Sequence, residues 1–439
     1  MLLYQFHDCL PGSSIPIVYE QTQARYAELH AEARELIEKY APKPAFSGAE
    51  PLLLMNPTPF SRTERVGYGG KEATVTLAPH EARFEDLSSW QRIVWEEIPD
   101  DAILENDKIR LVFTEKGTVS SIYDKENCRE LLPEGQEGNR LLLWQDELTH
   151  WDIQRDYLKY PPAEAVLTHS EKRRDGSLTK RIQTFRVGEK SSLTQQIILY
   201  PDSARVDFRC EVDWREEYQM LRVQWPVDVV AENGSCEIQF GHVKRPTHQN
   251  TTWDQAKFEV CAHKWADLSD RSGGLALLND CKYGYKLWEN MLDLCLLRSQ
   301  NCPAEGGDLG HHSFTYAILP HGGDVWDGGV IREGYSLNYP IECLEVTPGS
   351  GSFPSPQVTG TAVLESMKKA EDSEDLILRL YEAAGGSTKA HISLPGYRVV
   401  SLTNLLEEPI ESRDLTLTPD GADLRFHPFE VHTLLLRKL

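Results

Sequence analysis

A histidine, an aspartate and a Pro-Gly turn stand together near the start of the chain, in Gln5-Phe6-His7-Asp8-Cys9-Leu10-Pro11-Gly12-Ser13-Ser14. Imidazole nitrogen is a favoured zinc ligand, and an adjacent carboxylate can orient a sugar hydroxyl. A zinc site takes three or four protein ligands. The sequence holds no H-x-H, H-E-x-x-H or C-x-x-C to supply the others. His311 and His312 are neighbours, so on a strand they point to opposite faces. His242 and His248 flank Lys244-Arg245-Pro246, which reads as a polar loop. By residue type alone, a solitary His7 is more often a capped or surface histidine than a ligand. There is no G-x-S-x-G elbow, phosphate loop or dinucleotide fingerprint. Carboxylates are too numerous for a glycosidase pair to be picked out by composition.

The elements that must position these residues follow from periodicity. Between Ser14 and Tyr40, Ile15, Tyr19, Thr22, Tyr26, Leu29, Ala33, Leu36 and Tyr40 recur at alternating steps of four and three. That spacing predicts one long helix with a single apolar stripe. Ser13 and Ser14 are its expected caps, Pro16 suits its first turn, and Pro42 and Pro44 stop it. One helix cannot bury its own stripe, so the stripe is expected to be covered by another chain or copy, or to be disordered. Beyond Pro44 the pattern alternates with a period of two. Glu72–Leu77, Lys108–Phe113, Ser192–Tyr200, Ala204–Trp214, Cys236–Phe240, Gly274–Leu278, Leu292–Leu297 and Phe314–Leu319 read as strands separated by Gly, Pro, Asn and Asp. Many strands and few helices argue for sandwiches rather than alternating βα units. Boundaries are expected near Ile98-Pro99-Asp100-Asp101 and within Thr347–Pro356, which reads as a flexible connector.

Composition narrows the function classes. The 439 residues carry 46 basic and 68 acidic side chains, a formal charge of −22. A nucleic-acid reader needs a clustered basic face. The short pieces Lys172-Arg173-Arg174 and Lys180-Arg181 read instead as solvated turns. The acidic excess fits a soluble intracellular protein acting on a neutral substrate. No run approaches a membrane span, and no secretory signal is visible. Nine scattered cysteines fit a reducing compartment better than a disulfide framework.

The opening decapeptide resembles the Q-F-H-D-x-L-P-G-S-S segment of the α-mannosidases of glycoside hydrolase family 38. Leu53–Phe60 is similar to the start of that family's first β-domain, and Glu105–Arg110 with Gly117–Asp124 to the start of its large sandwich. Arg245–Asp254, Phe258–Trp265 and Leu278–Tyr285 resemble the bacterial and cytosolic branch, and Ala370–Asp372 with Leu378–Ala383 the C-terminal domain. The resemblance implies a mainly β fold: the remnant of a helical bundle (1–44), a small β-domain (45–100), a large galactose-mutarotase-like β-sandwich (101–346) and a C-terminal β-sandwich (357–439).

The resemblance further implies a zinc-dependent enzyme that cleaves terminal α-mannosides with retention, located in the cytoplasm. Its nucleophile, acid/base and remaining zinc ligands would lie in a barrel-like domain upstream of Leu2. His7 would be the one zinc ligand of this chain and Asp8 a sugar contact. His242, Arg245, Asn279, Asp280, Lys282 and Tyr283 are further candidates for lining the sugar site, with loop-anchoring hydrogen bonds as the alternative. Trp144, Trp151, Trp225, Trp253 and Trp265 could stack on sugar, although core packing is the more ordinary fate of tryptophan. The expected partners are a terminal α-mannosyl oligosaccharide and the N-terminal catalytic domain, with room for a homo-oligomer. The chain by itself is expected to be inactive. The rival reading is a free-standing β-sandwich that binds carbohydrate without hydrolysing it.

Overall fold

The computed structural model describes residues 2–147, 149–350 and 354–439. They are mostly strand, and they divide into two compact units. The first comprises residues 1–41, 94–236 and 244–324; the second comprises 42–93, 237–243 and 325–439.

The first unit opens with a turn-rich segment and a single long helix, α1 (Pro16–Tyr40). Pro16 occupies its first turn, and it ends two residues before Pro42. The expected serine caps are not made. Ile15 sits at the N-cap with no side-chain bond, while the hydroxyls of Ser13 and Ser14 turn back onto Asp8. The N-terminal half of the helix is half-buried along Tyr19, Thr22, Tyr26 and Leu29, and Tyr26 packs on Tyr4 at 5.5 Å between ring centres. From residue 30 to Tyr40 every helical side chain is exposed, Leu36 and Tyr40 included.

The rest of this unit is built on two large antiparallel sheets. One runs in the order Ala163–Glu164, Arg140–Gln145, Gln219–Pro226, Met291–Arg298, Gly284–Trp288 and Val260–Cys261. The other includes, in order, Trp265–Asp270, Gly273–Asn279, Gly310–Gly322, Val206–Trp214, Ser191–Leu199, Leu178–Val187 and Val166–Asp175. Val206–Trp214 alternates buried and less buried positions over most of its length, as a strand with one core face must. Phe208 on this second sheet meets Trp225 of the first edge-to-face at 5.3 Å and stacks on Tyr316 at 5.1 Å. The sandwich core therefore closes on aromatic rings.

Two sequence expectations change here. The basic pieces are not solvated turns. They lie on the paired strands Val166–Asp175 and Leu178–Val187, where Lys172 and Arg181 are buried and ion-paired at 2.6 Å to Asp101 and 2.5 Å to Asp100. The run at Cys236–Phe240 belongs to a strand, Asn233–Ile238, that ends earlier. Phe240 sits in the left-handed region at φ 57°, which breaks the ladder.

The second unit holds a small β-layer and the C-terminal sandwich. Pro51–Met55 pairs with Ala82–Asp86 and Glu342–Leu344, and Arg62–Tyr68 with Lys71–Leu77; Leu52, Leu54, Val66, Val75, Leu77, Trp90 and Ile341 form the core. A second helix of some length, α2 (Val330–Asn338), follows Gly329, whose φ of 73° lets the chain turn into it without a side-chain cap. The last sandwich faces Ala362–Lys369, Leu376–Glu382, Val431–Lys438 and Tyr397–Thr403 against Thr388–Ser393 and Gly421–Phe426, over Leu378, Leu380, Ile392, Leu424, Phe426 and Leu434. Of the connector expected over Thr347–Pro356, Gly351, Ser352 and Phe353 lie outside the described residues.

Candidate functional site

The Pro11-Gly12 turn, with Gly12 at φ 73°, folds the chain back so that Ser13 and Ser14 face the His-Asp pair. Ser13 N and Ser14 Oγ donate to the Asp8 carbonyl at 3.0 and 2.7 Å, and Ser13 Oγ donates to Asp8 Oδ1 at 3.2 Å. Asp8 Oδ2 lies 3.4 Å from His7 Nε2. His7 is 75% exposed in its side chain and Asp8 39%. The imidazole lies against the Phe6 ring, tilted by 39° with 4.2 Å between ring centres, and Phe6 is itself exposed. A carboxylate with about four lone-pair sites keeps acceptor capacity beyond its serine bond.

A third aromatic reaches this pair from far along the chain. The Trp151 indole Nε1–H donates to Asp8 Oδ1 at 3.4 Å while 60% of the residue stays exposed. The loop that carries Trp151 is held by one guanidinium. Arg298 donates to both carboxylate oxygens of the buried Asp146, at 2.7 Å from Nε and 3.2 Å from Nη2. It also donates to the carbonyls of Thr149, His150 and Asp152 at 3.3, 3.5 and 2.9 Å. Burial alone would lower the Arg298 pKa, but the Asp146 carboxylate more than offsets it and the value is raised. Sequence reasoning missed this arrangement because Asp146 and Arg298 stand 152 residues apart.

Behind the loop lies a buried charge network. The Tyr157 hydroxyl donates to Glu259 Oε1 at 3.0 Å and accepts from Lys286 Nζ at 3.0 Å. Arg222 pairs with Asp293, both fully buried, and reaches Glu259 at 3.1 Å; Gln224 donates to Asp293 at 2.7 Å. Trp144 meets Tyr157 edge-to-face at 5.1 Å. These contacts fix the short helix Arg155–Lys159 that follows the Trp151 loop.

The other sequence candidates make different contacts. Asn279, Asp280, Lys282 and Tyr283 come together in one turn. Asn279 is buried; its amide donates to the His263 carbonyl at 2.8 Å and the Tyr285 hydroxyl at 2.6 Å, and its oxygen accepts from Lys282 N at 2.5 Å. Asp280 accepts from Thr315 N at 2.9 Å, Lys282 lies 4.5 Å over the Phe314 ring, and the half-exposed Tyr283 meets His263 edge-on. Arg245 donates to the Cys261 carbonyl at 3.3 Å. His242, in the second unit, stands edge-on to Phe429 at 4.9 Å. Trp144, Trp225 and Trp265 are buried, whereas Trp151 and Trp253 are exposed.

Among the described residues no group of three or more His, Cys, Asp or Glu side chains converges as a metal site. His7 and Asp8 together offer two donors, below the three or four that zinc takes. The described residues bring no third donor to this pair.

Residues 104–305 match the glycosyl hydrolases family 38 C-terminal domain, residues 361–434 the family 38 C-terminal beta sandwich domain, and residues 1–43 the alpha mannosidase middle domain. The chain belongs to glycoside hydrolase family 38. It is 36% identical to human "Alpha-mannosidase 2C1", over 99% of this chain and 44% of that protein. It is 31% identical to "Alpha-mannosidase G" of Dictyostelium discoideum, over 99% of this chain and 47% of that one. The chain thus spans less than half the length of these curated relatives. Its fold is that of an α-mannosidase from Enterococcus faecalis V583, at TM-score 0.80 and 15% identity over 99% of this chain and 62% of that one. Within the family frame, His7 and Asp8 fall in the middle-domain match, and Trp151 and Arg298 in the C-terminal-domain match. The constellation is assembled from both.

Proposed function

We propose that this chain is the part of a zinc-dependent, retaining α-mannosidase that contributes His7 and Asp8 to the site for a terminal α-mannosyl residue, and that it does not turn over substrate by itself. The observation that carries this reading is the exposed His7 beside Asp8, with Asp8 held by the Ser13 and Ser14 hydroxyls, which do not cap the helix. His7 would hold the metal together with ligands from outside this chain; zinc, when bound, supplies charge that orients and polarises sugar hydroxyls. Asp8 accepts a hydrogen bond from a sugar hydroxyl; the Ser13 hydroxyl holds its carboxylate and the Ser14 hydroxyl its backbone carbonyl. The exposed C-terminal half of α1 is the face on which the catalytic domain would pack. We place the enzyme in the cytoplasm. Nine free cysteines support that setting, and no described helix is long and apolar enough to cross a membrane.

The test compares the full-length protein with this chain on para-nitrophenyl α-mannoside in the presence of zinc. The full-length protein should release nitrophenol, its His7→Ala variant should not, and the chain alone should stay at background. Turnover by the chain alone, lost on His7→Ala, would overturn the proposal.

A further inference from the structure

We propose that Trp151 is a sugar-contacting platform of this site and that Arg298 is the residue that positions it. The inference deepens the mannosidase reading and rests on it.

Three observations converge. An exposed indole on a loop is costly to leave in water, yet here it is held rather than loose: its N–H is bonded to Asp8 Oδ1 at 3.4 Å and 60% of the residue is exposed. The loop's shape is imposed from outside, by a guanidinium that bridges Asp146 and three backbone carbonyls between Thr149 and Asp152. The Asp8 carboxylate thus shares one neighbourhood with the indole of Trp151, the ring of Phe6 and the imidazole of His7. Flat apolar faces beside a fixed carboxylate match the chemistry of a pyranose, which offers a C–H face for stacking and hydroxyls for hydrogen bonds. Trp151 would cover the apolar face while Asp8 takes a hydroxyl of the same or the adjoining ring. Arg298 touches neither. Its five-donor fork fits a carboxylate plus several carbonyls, a task the point charge of lysine does not reproduce.

The experiment uses the full-length protein and steady-state kinetics on para-nitrophenyl α-mannoside and an α-mannosyl disaccharide. Trp151→Ala should raise KM about tenfold with a smaller change in kcat, the size expected for one aromatic face. Trp151→Phe, which keeps a flat ring, should recover most of that loss. Arg298→Lys should raise KM in the same direction, and Arg298→Lys combined with Trp151→Ala should be no worse than Trp151→Ala, because the arginine acts through the indole. A Trp151→Ala KM within twofold of wild type, in an enzyme that is itself active, would overturn the platform. Additive effects of the two substitutions would overturn the positioning role. Loss of association with the catalytic domain at unchanged KM would make Trp151 an interdomain contact and overturn the proposal too. A wild-type protein inactive on every α-mannoside would instead sink the underlying mannosidase reading. Thermal denaturation of each variant separates misfolding of Arg298→Lys from lost positioning, with Trp151→Phe as the variant that leaves the loop's anchors intact.

Discussion

Asp293→Ala should destabilise the first unit more than almost any other single truncation. The Asp293 side chain and that of its partner Arg222 are both 0% exposed, and Lys286 lies 3.5 Å away with 6% exposure. Removing the carboxylate leaves the buried Arg222 guanidinium with Glu259 and the buried Lys286 ammonium with the neutral Tyr157 hydroxyl, and takes the acceptor from the Gln224 amide. Breaking a buried pair by removing one partner costs about 3–5 kcal/mol, because the surviving charge stays desolvated. For a unit of this size that corresponds to a fall in Tm of roughly 6–20 °C. The assay is urea and thermal unfolding of the chain, followed by tryptophan fluorescence, which reports on the buried Trp214, Trp225 and Trp265. The combined variant Arg222→Met and Asp293→Leu should lose less than Asp293→Ala, since apolar replacement of both partners removes the orphaned charge. A loss below about 1 kcal/mol for Asp293→Ala, the value of a solvent-exposed pair, would refute the reasoning.

Two further outcomes follow from local geometry. His321 is buried with Nε2 2.8 Å from Asp267 Oδ1; burial opposes its charge, but the carboxylate outweighs it and the pKa rises above 6.5. A raised native value means the folded state holds the proton more tightly, so this contribution is complete below 6.5 and is lost as pH climbs through the native pKa. Unfolding free energy measured across neutral to alkaline pH should therefore decline less in Asp267→Asn than in wild type, and parallel curves would contradict the assignment. Gly12→Ala meets no atom nearer than 3.9 Å but must hold φ near 73°, so it should cost about 1–2 kcal/mol locally, with Gly12→Asn milder. Amide hydrogen exchange over the opening turn checks this, and unchanged protection in Gly12→Ala would count against the constraint.

Much of this was legible in the sequence, for identifiable reasons. The period of α1 and the alternation of Val206–Trp214 are local signals, and both elements form where the pattern placed them. The serine caps failed because a nearer acceptor, Asp8, claimed both hydroxyls. The helix Val330–Asn338 escaped notice because it is short and starts from a glycine without a capping side chain. Lys172 and Arg181 looked solvated because their counter-charges, Asp101 and Asp100, are about 70 and 80 positions away. The same distance blindness hid the Trp151 loop. Tryptophan type alone could not separate Trp151, exposed beside Asp8, from Trp225 in the core, and Arg298 carried no motif at all.

The central claim is that His7 is a coordinating group whose companion ligands come from elsewhere in the protein. Zinc content after extensive dialysis tests it most directly, measured by plasma mass spectrometry on the full-length protein, its His7→Ala variant and this chain alone. The expected result is equimolar zinc in the full-length protein, a marked loss in His7→Ala and no retained metal in the isolated chain. Equimolar zinc retained by the chain alone, or by full-length His7→Ala at wild-type affinity, would contradict the account.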